Sequence, residues 1–503
     1  MRLPIHMIAL AALALCGASV AHASGYHFGS QSASSQGTAN AGSIEAEDAS
    51  VLFYNPAGAS RLKGTQMSGV LNVVMPTGTY TDLGSYTSLG RPITGSNGGK
   101  FVKTTAVPHA YLTHQLSSDL TAGLGIFVPF GSSASFDPAW AGRYNAISTE
   151  LKTLALNPSL TFKLSPQVSV GGGLTLQHID GKLAKGADFG SGAMGSIITA
   201  QVQAAAAANP GVPIATIQQN VLTALGPLIN QISGNPAFSG RVDVEGKDWG
   251  TGFNFGLMFE PDENTRFGVS YRSAVNHTLK GTSKWQVAPA AAALETTLNA
   301  ALAGTNAGTT TKARLLAAYT DSDASLAVKT PESLSFSAFH QAGKLALMGD
   351  VTVTRHSRFQ ELRIDFSNAL PDSVTPQRWT NTTRVSAGMS YQLDSSLKVR
   401  AGIAHDGSPV SDANRTPSIP DGDRTWLSGG LNWKLDKTSS VDLALSYIKV
   451  NTGLVSNYDN GGVTNASGAQ SCDPTRNTSS CATIKGKFKL SSFLLGLQYN
   501  RQF

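Results

Sequence analysis

Apolar and polar residues alternate along most of the chain with a period of two. In one stretch Trp249, Phe253 and Phe255 share one face, and Gly252 and Asn254 share the other. This is the period of a β-strand with two unlike faces. About fourteen segments show it: residues 65–80, 107–115, 120–129, 147–163, 168–179, 249–260, 265–280, 327–340, 345–355, 383–393, 397–406, 425–435, 440–450 and 485–503. After residue 23 there is no apolar run of about 18 residues, so no membrane-spanning helix is predicted.

The connections between these segments alternate between very short and long. Residues 117–119 and 395–396 form short connections, whereas residues 180–248 and 281–326 form long ones. Outer-membrane barrels have tight periplasmic turns and large external loops, and a soluble sandwich has no reason to separate its loops by length. The pattern therefore predicts an all-β fold, a transmembrane antiparallel β-barrel of about 14 strands over residues 65–503.

Composition supports a membrane barrel and excludes several other classes. Only 14% of the 503 residues are charged, and 52 are Gly. A soluble domain carries about 25% charged residues, and a disordered chain carries more net charge than this one. Three Cys are too few for a disulfide scaffold or a multi-zinc protein. The net charge of +6 comes without a Lys/Arg block, so nucleic acid is not expected as a partner.

The first 23 residues have the pattern of a secretory signal peptide. Arg2 precedes an apolar run over residues 8–20, and Ala21-His22-Ala23 fits a cleavage site. We therefore expect cleavage after Ala23 and export to the outer membrane of a Gram-negative cell. The alternative is a lipoprotein acylated at Cys16.

Residues 24–64 precede the first strand and are rich in small and polar residues. They contain Tyr26, Phe28 and an Asn55-Pro56 turn followed by Ala57. A barrel of fourteen strands has an open interior unless something occupies it. We predict that this segment is a hatch, or plug, inside the barrel; the alternative is a disordered periplasmic tail.

Several short motifs occur in order along the chain: residues 47–50 (EDAS), 55–58 (NPAG), 125–131 (GIFVPFG), 157–159 (NPS) and 268–273 (GVSYRS). In this series the chain resembles the FadL-type outer-membrane transporters of long-chain fatty acids and other hydrophobic compounds, which include the TodX-like aromatic hydrocarbon channels. The resemblance implies a fourteen-stranded barrel plugged by a hatch that carries Asn55, Pro56 and Ala57. It also implies passive uptake, with lateral exit into the membrane beside a kinked third strand.

The third predicted strand has residues that weaken strand pairing. Gly123, Gly125 and Pro129 lie in it, and glycine and proline in a strand mark bulges or broken pairing. Phe127 and Phe130 would then line a local gap through which an apolar solute leaves sideways. The alternative is an ordinary bulge without an opening.

The alternation also places cations on the lumenal side. Arg272, Arg384, Lys398 and Arg400 fall on that face, and a carboxylate substrate would need such a charge beside an apolar pocket. These cations are equally expected to pair with carboxylates of the barrel or hatch.

Two external loops contain alanine-rich stretches, residues 197–232 and 288–302, that we expect to be helical with breaks at Pro210 and Pro213. Helices beside a membrane bury their apolar face against something. We hypothesise that these loops pack together and form an apolar entrance groove; alternatively, they only pack against each other.

The predicted function is passive uptake of long-chain fatty acids or related hydrophobic compounds; the alternative is a general porin for small polar solutes. No nucleophile motif of a hydrolase is present, and the glycine-rich residues 190–195 lack the context of a nucleotide site. The chain is therefore not expected to be an enzyme or to need a metal or cofactor. Its expected partners are the hydrophobic solute, outer-membrane lipid and the outer-membrane assembly machinery. The aromatic C-terminal strand resembles a signal that this machinery recognises. We expect a monomer.

Cys472 and Cys481 should form a disulfide in the last external loop, because both lie in one polar stretch of an exported protein. Thiol labelling of the denatured, non-reduced mature protein should detect no free thiol, and reduction should release two. Two labelled thiols before reduction would contradict this pairing.

Overall fold

A computed structural model describes residues 25–459 and 480–503. The predicted signal peptide and Cys472 lie outside these residues, so the cleavage site and the disulfide stay predictions. Cys481 itself is described and is buried.

All strands of the described residues belong to one antiparallel sheet. The strands are β1 Thr65–Asp82, β2 Thr105–Gln115, β3 Leu120–Phe127, β4 Gly131–Ser135, β5 Ser148–Lys163, β6 Val168–Ala187, β7 Gly240–Phe259, β8 Thr265–Arg272, β9 Val275–Gln286, β10 Ser322–Thr330, β11 Ser333–Ala342, β12 Leu345–Thr354, β13 Glu361–Phe366, β14 Ser373–Pro376, β15 Thr382–Gln392, β16 Leu397–Asp406, β17 Arg424–Lys434, β18 Ser439–Val450, β19 Gly453–Tyr458 and β20 Thr483–Gln502.

The sheet closes on itself, because β1 pairs with β2 on one side and with β20 on the other. Three strands of the wall are each made of two pieces: β3 with β4, β8 with β9, and β10 with β11. Counted this way the wall has 14 strands, which confirms the predicted barrel. The strands β13, β14 and β19 are additional pairings at the end of the barrel that carries the long loops.

The apolar face of the wall points outward. On β18, Leu443, Leu445 and Tyr447 are exposed, whereas Asp442 and Ser446 are buried. A soluble sandwich has the opposite arrangement, with its apolar face inside. An outward apolar face and a polar interior are what a barrel in lipid requires.

Helices occur in the N-terminal segment and in two long loops. They are α1 Ala33–Gln36, α2 Val51–Tyr54, a 3-10 turn Pro56–Arg61, α3 Phe189–Ala208, α4 Ile214–Ile232, α5 Ala288–Ala301 and α6 Ala307–Ala318, with further 3-10 turns at Pro236–Phe238 and His356–Arg358. Within the described ranges, no helix is long and apolar enough to cross a membrane. The sequence pattern does not predict α6, because residues 309–314 are mostly polar.

The loop helices α3, α4 and α5 pack together through one buried apolar cluster. Met194, Ile229, Ile232, Leu294 and Leu298 belong to it. The two alanine-rich loops therefore do pack against each other, as expected from their composition.

Residues 25–64, the N-terminal segment, lie against the lumenal face of the barrel wall. Gln36 Nε2 donates to the Leu494 carbonyl at 2.8 Å, and Ser43 Oγ donates to Asp350 Oδ2 at 2.9 Å. Most of its residues are buried. These contacts join the segment to β20 and to β12, two strands that are not neighbours in the wall. The segment therefore lies inside the barrel.

Glycines of three neighbouring strands make room for the Asn55-Pro56-Ala57 turn. A Cβ added to Gly171 would stand 2.6 Å from the Pro56 carbonyl carbon, one on Gly256 would collide with Asn55 Oδ1, and one on Gly268 would stand 2.9 Å from Asn55 Nδ2. The turn approaches the wall this closely only because these positions have no side chain.

Gly256→Val should therefore push the N-terminal segment away from the wall. We expect a loss of about 1–3 kcal/mol in the docking of this segment, the usual cost of overpacking, and a larger ion conductance in planar bilayers. Gly69→Val is the matched control, because a Cβ at Gly69 meets no atom within 4 Å. Equal conductance of the two variants would contradict the close packing of the Asn55-Pro56-Ala57 turn against Gly256.

Candidate transport site

The third strand of the wall is interrupted after Phe127. Phe127 pairs with Ala155 of β5, and pairing resumes with Gly131 opposite Lys152. Residues 128–130 thus face only residues 153–154, three against two. This mismatch is a β-bulge, which bends a strand and leaves part of its backbone out of the ladder.

The same interruption leaves the neighbouring strand β2 partly unpaired. Only Ala110–Gln115 of β2 pairs with β3. Among the described pairings, residues 105–109 pair with β1 alone. The wall therefore lacks a hydrogen-bond ladder between this half of β2 and β4.

The glycines of this strand are not part of the break. Gly123 pairs with Thr113 and Ser159, and Gly125 pairs with Tyr111 and Asn157, in regular ladders on both sides. The expectation that they mark broken pairing is wrong; only Pro129 lies in the break.

The two glycines instead make room for packing inside the barrel. A Cβ on Gly123 would come within 2.6 Å of the Leu52 side chain, and one on Gly125 would come within 3.1 Å of the Phe127 ring.

The N-terminal segment pairs with the interrupted strand from the lumenal side. Phe28 N donates to the Pro129 carbonyl at 2.8 Å, and Gly131 N donates to the Tyr26 carbonyl at 2.7 Å. Gln31 Nε2 donates to the Val128 carbonyl at 2.7 Å. The Val128 and Pro129 carbonyls are thus satisfied by a segment that is not part of the wall, whereas the N–H groups of Val128 and Phe130 donate to His109 and Thr153 of the wall.

Tyr26 is the centre of a buried aromatic cluster above the break. Its ring lies 5.6 Å from Phe130, 5.9 Å from Phe359 and 5.5 Å from Trp379, measured between centroids. Burial raises the pKa of Tyr26 above its ordinary value. Sequence reasoning missed Phe359 and Trp379, because they lie in a loop far from Tyr26 along the chain.

An apolar cavity lies on the external side of Tyr26, at the loop end of the barrel. Its empty space is about 710 Å³, part of it open to solvent, and its apolar lining includes Leu279, Leu326, Val328 and Ile364. These residues belong to the external parts of strands. The loop helices contribute none of the residues that line it, so the expectation that they form an apolar entrance groove is not met at this cavity.

A second cavity lies in the lumen, with about 880 Å³ of empty space that is partly open to solvent. His27 and Phe53 of the N-terminal segment line it together with Arg272 and Arg384 of the wall. Burial, and then the charges of Arg272, Arg384 and Arg424, lowers the pKa of His27 to about 4. The imidazole is therefore neutral at ordinary pH, and Arg272 and Arg384 are the cations among the residues that line this cavity.

Arg272 and Arg384 bond to backbone carbonyls and aromatic faces. Arg272 donates to the Phe53 carbonyl at 2.8 Å and its guanidinium lies 4.6 Å from the Phe53 ring centroid. Arg384 donates to the Ala39 carbonyl at 2.6 Å and lies 5.5 Å from the Trp426 ring centroid.

Neither arginine has a carboxylate within 4.0 Å among residues 25–459 and 480–503. Two acids line the same cavity and have other partners. Asp350 accepts from hydroxyls, including that of Ser337 at 2.6 Å, and Asp406 lies 3.9 Å from Arg424. Arg272 Nη1 is buried without a hydrogen-bond partner.

Arg400 belongs to a different site. It is buried between Asp442, at 2.5 Å, and Glu45, at 3.6 Å, and the neighbouring Lys398 lies 3.2 Å from Glu45 and 2.5 Å from Glu47. Burial would raise the pKa of Glu45, but Arg400 and Lys398 hold it below its ordinary range. For Arg400 and Lys398 the expected pairing with carboxylates of the barrel and hatch is therefore the arrangement found.

The remaining predicted residues lie beside the break or opposite it. Phe28 stacks on His109 of β2 with ring centroids 6.0 Å apart. Asn55 Nδ2 donates to the Leu257 carbonyl at 3.1 Å, and Thr161 Oγ1 donates to the Pro56 carbonyl at 2.7 Å. The Asn55-Pro56-Ala57 turn thus anchors the segment to β5–β8.

Residues 14–503 match the family of outer membrane transport proteins described as OMPP1/FadL/TodX. The chain belongs to this family. FadL/TodX-family proteins are outer-membrane β-barrels that transport hydrophobic compounds, and this member has the same location. The family consists of transport channels, not enzymes. Within the described ranges no cluster of His, Cys, Asp and Glu could hold a metal ion.

Relatives of this FadL/TodX-family member span almost its whole length. An outer membrane protein of Neisseria meningitidis serogroup B is 36% identical, over 99% of this chain and 98% of the relative. The long-chain fatty acid transport protein of Escherichia coli K12 is 26% identical, over 86% and 90%. The crystal structure of a Pseudomonas aeruginosa FadL homologue, 22% identical, covers 95% of this chain and 100% of its own with a TM-score of 0.75, which shows a shared fold.

Arg400→Met should loosen the N-terminal segment from this family member's wall. Breaking a buried ion pair leaves an uncompensated charge and costs about 3–5 kcal/mol. We expect a lower midpoint of heat-induced unfolding and faster proteolysis within residues 25–64. Arg363→Met is the control, because its pairs with Glu361 and Asp372 are exposed and should contribute less than about 1 kcal/mol. Equal effects of the two substitutions would contradict an anchoring role for Arg400.

Proposed function

We propose that the protein takes up long-chain fatty acids or related hydrophobic compounds passively and releases them sideways through the break after Phe127. The observation that carries this proposal is the missing ladder between β2 and β4, where residues of the N-terminal segment bond to the Val128 and Pro129 carbonyls. Unpaired backbone at membrane depth is tolerated only where it is covered or lines a cavity. A break held in this way is suited to opening and closing.

Consecutive residues connect the external cavity, the lumenal cavity and the break. Tyr26 lines the external cavity and His27 lines the lumenal one, while the backbone of residues 26–28 bonds to the interrupted strand. Displacing these three residues would join the two cavities and uncover the break in one movement. A solute entering the external cavity would then reach the bilayer without crossing the N-terminal segment.

The chemistry of this route favours an apolar solute over a polar one. The external cavity is lined mainly by aliphatic side chains, and Tyr26 and Phe130 stand between it and the lumen. A general porin needs a continuous water-filled passage, and residues 25–64 fill the lumen with buried side chains. We therefore favour hydrophobic uptake over the porin alternative.

The lumenal cavity favours a substrate with a carboxylate. Arg272 and Arg384 line it beside aromatic rings, and Arg272 keeps a buried donor without a partner. A carboxylate would satisfy that donor with a charge-assisted hydrogen bond, about twice as strong as a neutral one. The likeness to the Escherichia coli long-chain fatty acid transport protein supports the same substrate class.

Deleting Pro129 tests the lateral exit. The deletion leaves two residues facing two on β5, which should restore a regular ladder. We expect uptake of a radiolabelled long-chain fatty acid per folded barrel to fall at least about tenfold, because closing the wall removes the exit. Heat resistance should stay equal or rise.

Deletion of Gly304, which lies in a loop between α5 and α6 with open space around it, is the control for loss of one residue. Uptake by the Pro129 deletion at the wild-type rate would refute the lateral exit. A barrel that fails to fold is recognised by its loss of heat-modifiable migration and is excluded from the comparison.

Replacing both arginines tests the carboxylate. Arg272→Gln with Arg384→Gln should weaken binding of a fatty acid by about 10- to 100-fold, since a hydrogen bond to a charged group contributes about 1.5–3 kcal/mol. Binding of the fatty alcohol of the same chain length should change little. Equal losses for acid and alcohol, measured by ligand titration, would show that the arginines do not select a carboxylate.

A further inference from the structure

Three lysines form an unpaired strip on the lipid-facing side of the wall. Lys449 of β18 and Lys489 of β20 are exposed, and Lys487 of β20 is partly exposed. None of the three has a carboxylate within 4.0 Å among the described residues. We call these three residues the lysine strip.

The lysine strip stands directly above an aromatic pair. Tyr447 and Phe493 are cross-strand partners with ring centroids 5.1 Å apart, and the next outward position on β18 is Lys449, opposite Ser491. Lys489 follows diagonally on β20. The lysines follow this pair on its external side, where the wall leaves the apolar band, so they lie at headgroup level.

The height of the strip agrees with that position. Tyr499 lies near the other end of the same strand, and the segment from Tyr499 to Lys489 spans about 33 Å at about 3.3 Å per residue. A strand tilt of about 40° reduces this to about 25 Å along the membrane normal, the height of the apolar band in such barrels. Because β20 runs from the loop end to the turn end, Lys489 faces the outer leaflet.

Among the described residues, the cross-strand neighbours of the strip on β1 carry hydroxyl groups and no carboxylates. On β1, Thr77 lies opposite Ser491, Thr79 opposite Lys489, and Thr81 opposite Lys487. Some lysines elsewhere on the external part of the barrel have carboxylate partners: Lys182 lies 3.5 Å from Glu245, and Lys152 pairs with Glu150. Neighbouring like charges on a sheet repel each other, so the lysine strip needs an anion from outside the chain.

We propose that the lysine strip binds the phosphate groups of lipid A in the outer leaflet. A phosphate between Lys449 and Lys489 would neutralise both ammonium groups and accept from the Thr79 and Ser491 hydroxyls, while the acyl chains lie against Tyr447 and Phe493. The outer leaflet of a Gram-negative outer membrane consists of lipopolysaccharide, which presents these phosphates at headgroup level. The site lies outside the transport route and is independent of it.

Native mass spectrometry of the full chain with added lipid A tests the site. We expect lipid A to remain bound to the wild type, and binding to Lys449→Gln/Lys487→Gln/Lys489→Gln to fall roughly tenfold or more. The corresponding triple Lys→Arg variant should bind as the wild type does, because it keeps the charges. Dephosphorylated lipid A should bind the wild type as weakly as lipid A binds the triple Gln variant.

Lys163→Gln/Lys344→Gln/Lys434→Gln is the matched control, because these lysines lie at the turn end of the barrel. Undiminished lipid A binding by the triple Gln variant of the strip, or equal binding of dephosphorylated lipid A by the wild type, would overturn the proposal. Heat-modifiable migration identifies the folded barrel in each sample.

Discussion

Backbone hydrogen bonding in a membrane is the constraint on which this structure depends. A barrel satisfies it by closing, and here β1 closes against β20. At the interruption of residues 128–130, the Val128 and Pro129 carbonyls accept from Gln31 and Phe28 of the N-terminal segment. The wall and the N-terminal segment therefore depend on each other. Moving the segment would expose polar backbone groups, which would then need other hydrogen-bond partners.

Two different kinds of contact hold the N-terminal segment. Close approach at Gly171, Gly256 and Gly268, together with the buried charges around Arg400, fixes the residues near Asn55 and Glu45. The residues near Tyr26 are held mainly by aromatic packing and by hydrogen bonds to the interrupted strand. Overpacking and unpaired buried charge are costly, so displacing the first part from the wall would cost free energy of both kinds.

The lumenal cations fall into two groups with different surroundings. Arg400 and Lys398 face acids of the N-terminal segment, whereas Arg272 and Arg384 face carbonyls, aromatic rings and a cavity. All four fall on the same lumenal face in the sequence, and no local pattern separates them. Whether a cation anchors the segment or meets a solute is decided by which acid the tertiary structure brings near it.

The barrel could be predicted from the sequence alone, because the period of two and the alternation of short and long connections are local patterns. They can be recognised without knowing which residues are in contact. Pro129 was also recognisable, since a proline cannot donate to a ladder. Only the tertiary structure decided that Gly123 and Gly125 are regularly paired, that Trp379 meets Tyr26, and that residues 26–28 cover the break. These facts depend on contacts between segments up to hundreds of residues apart, for which one sequence contains no periodic signal.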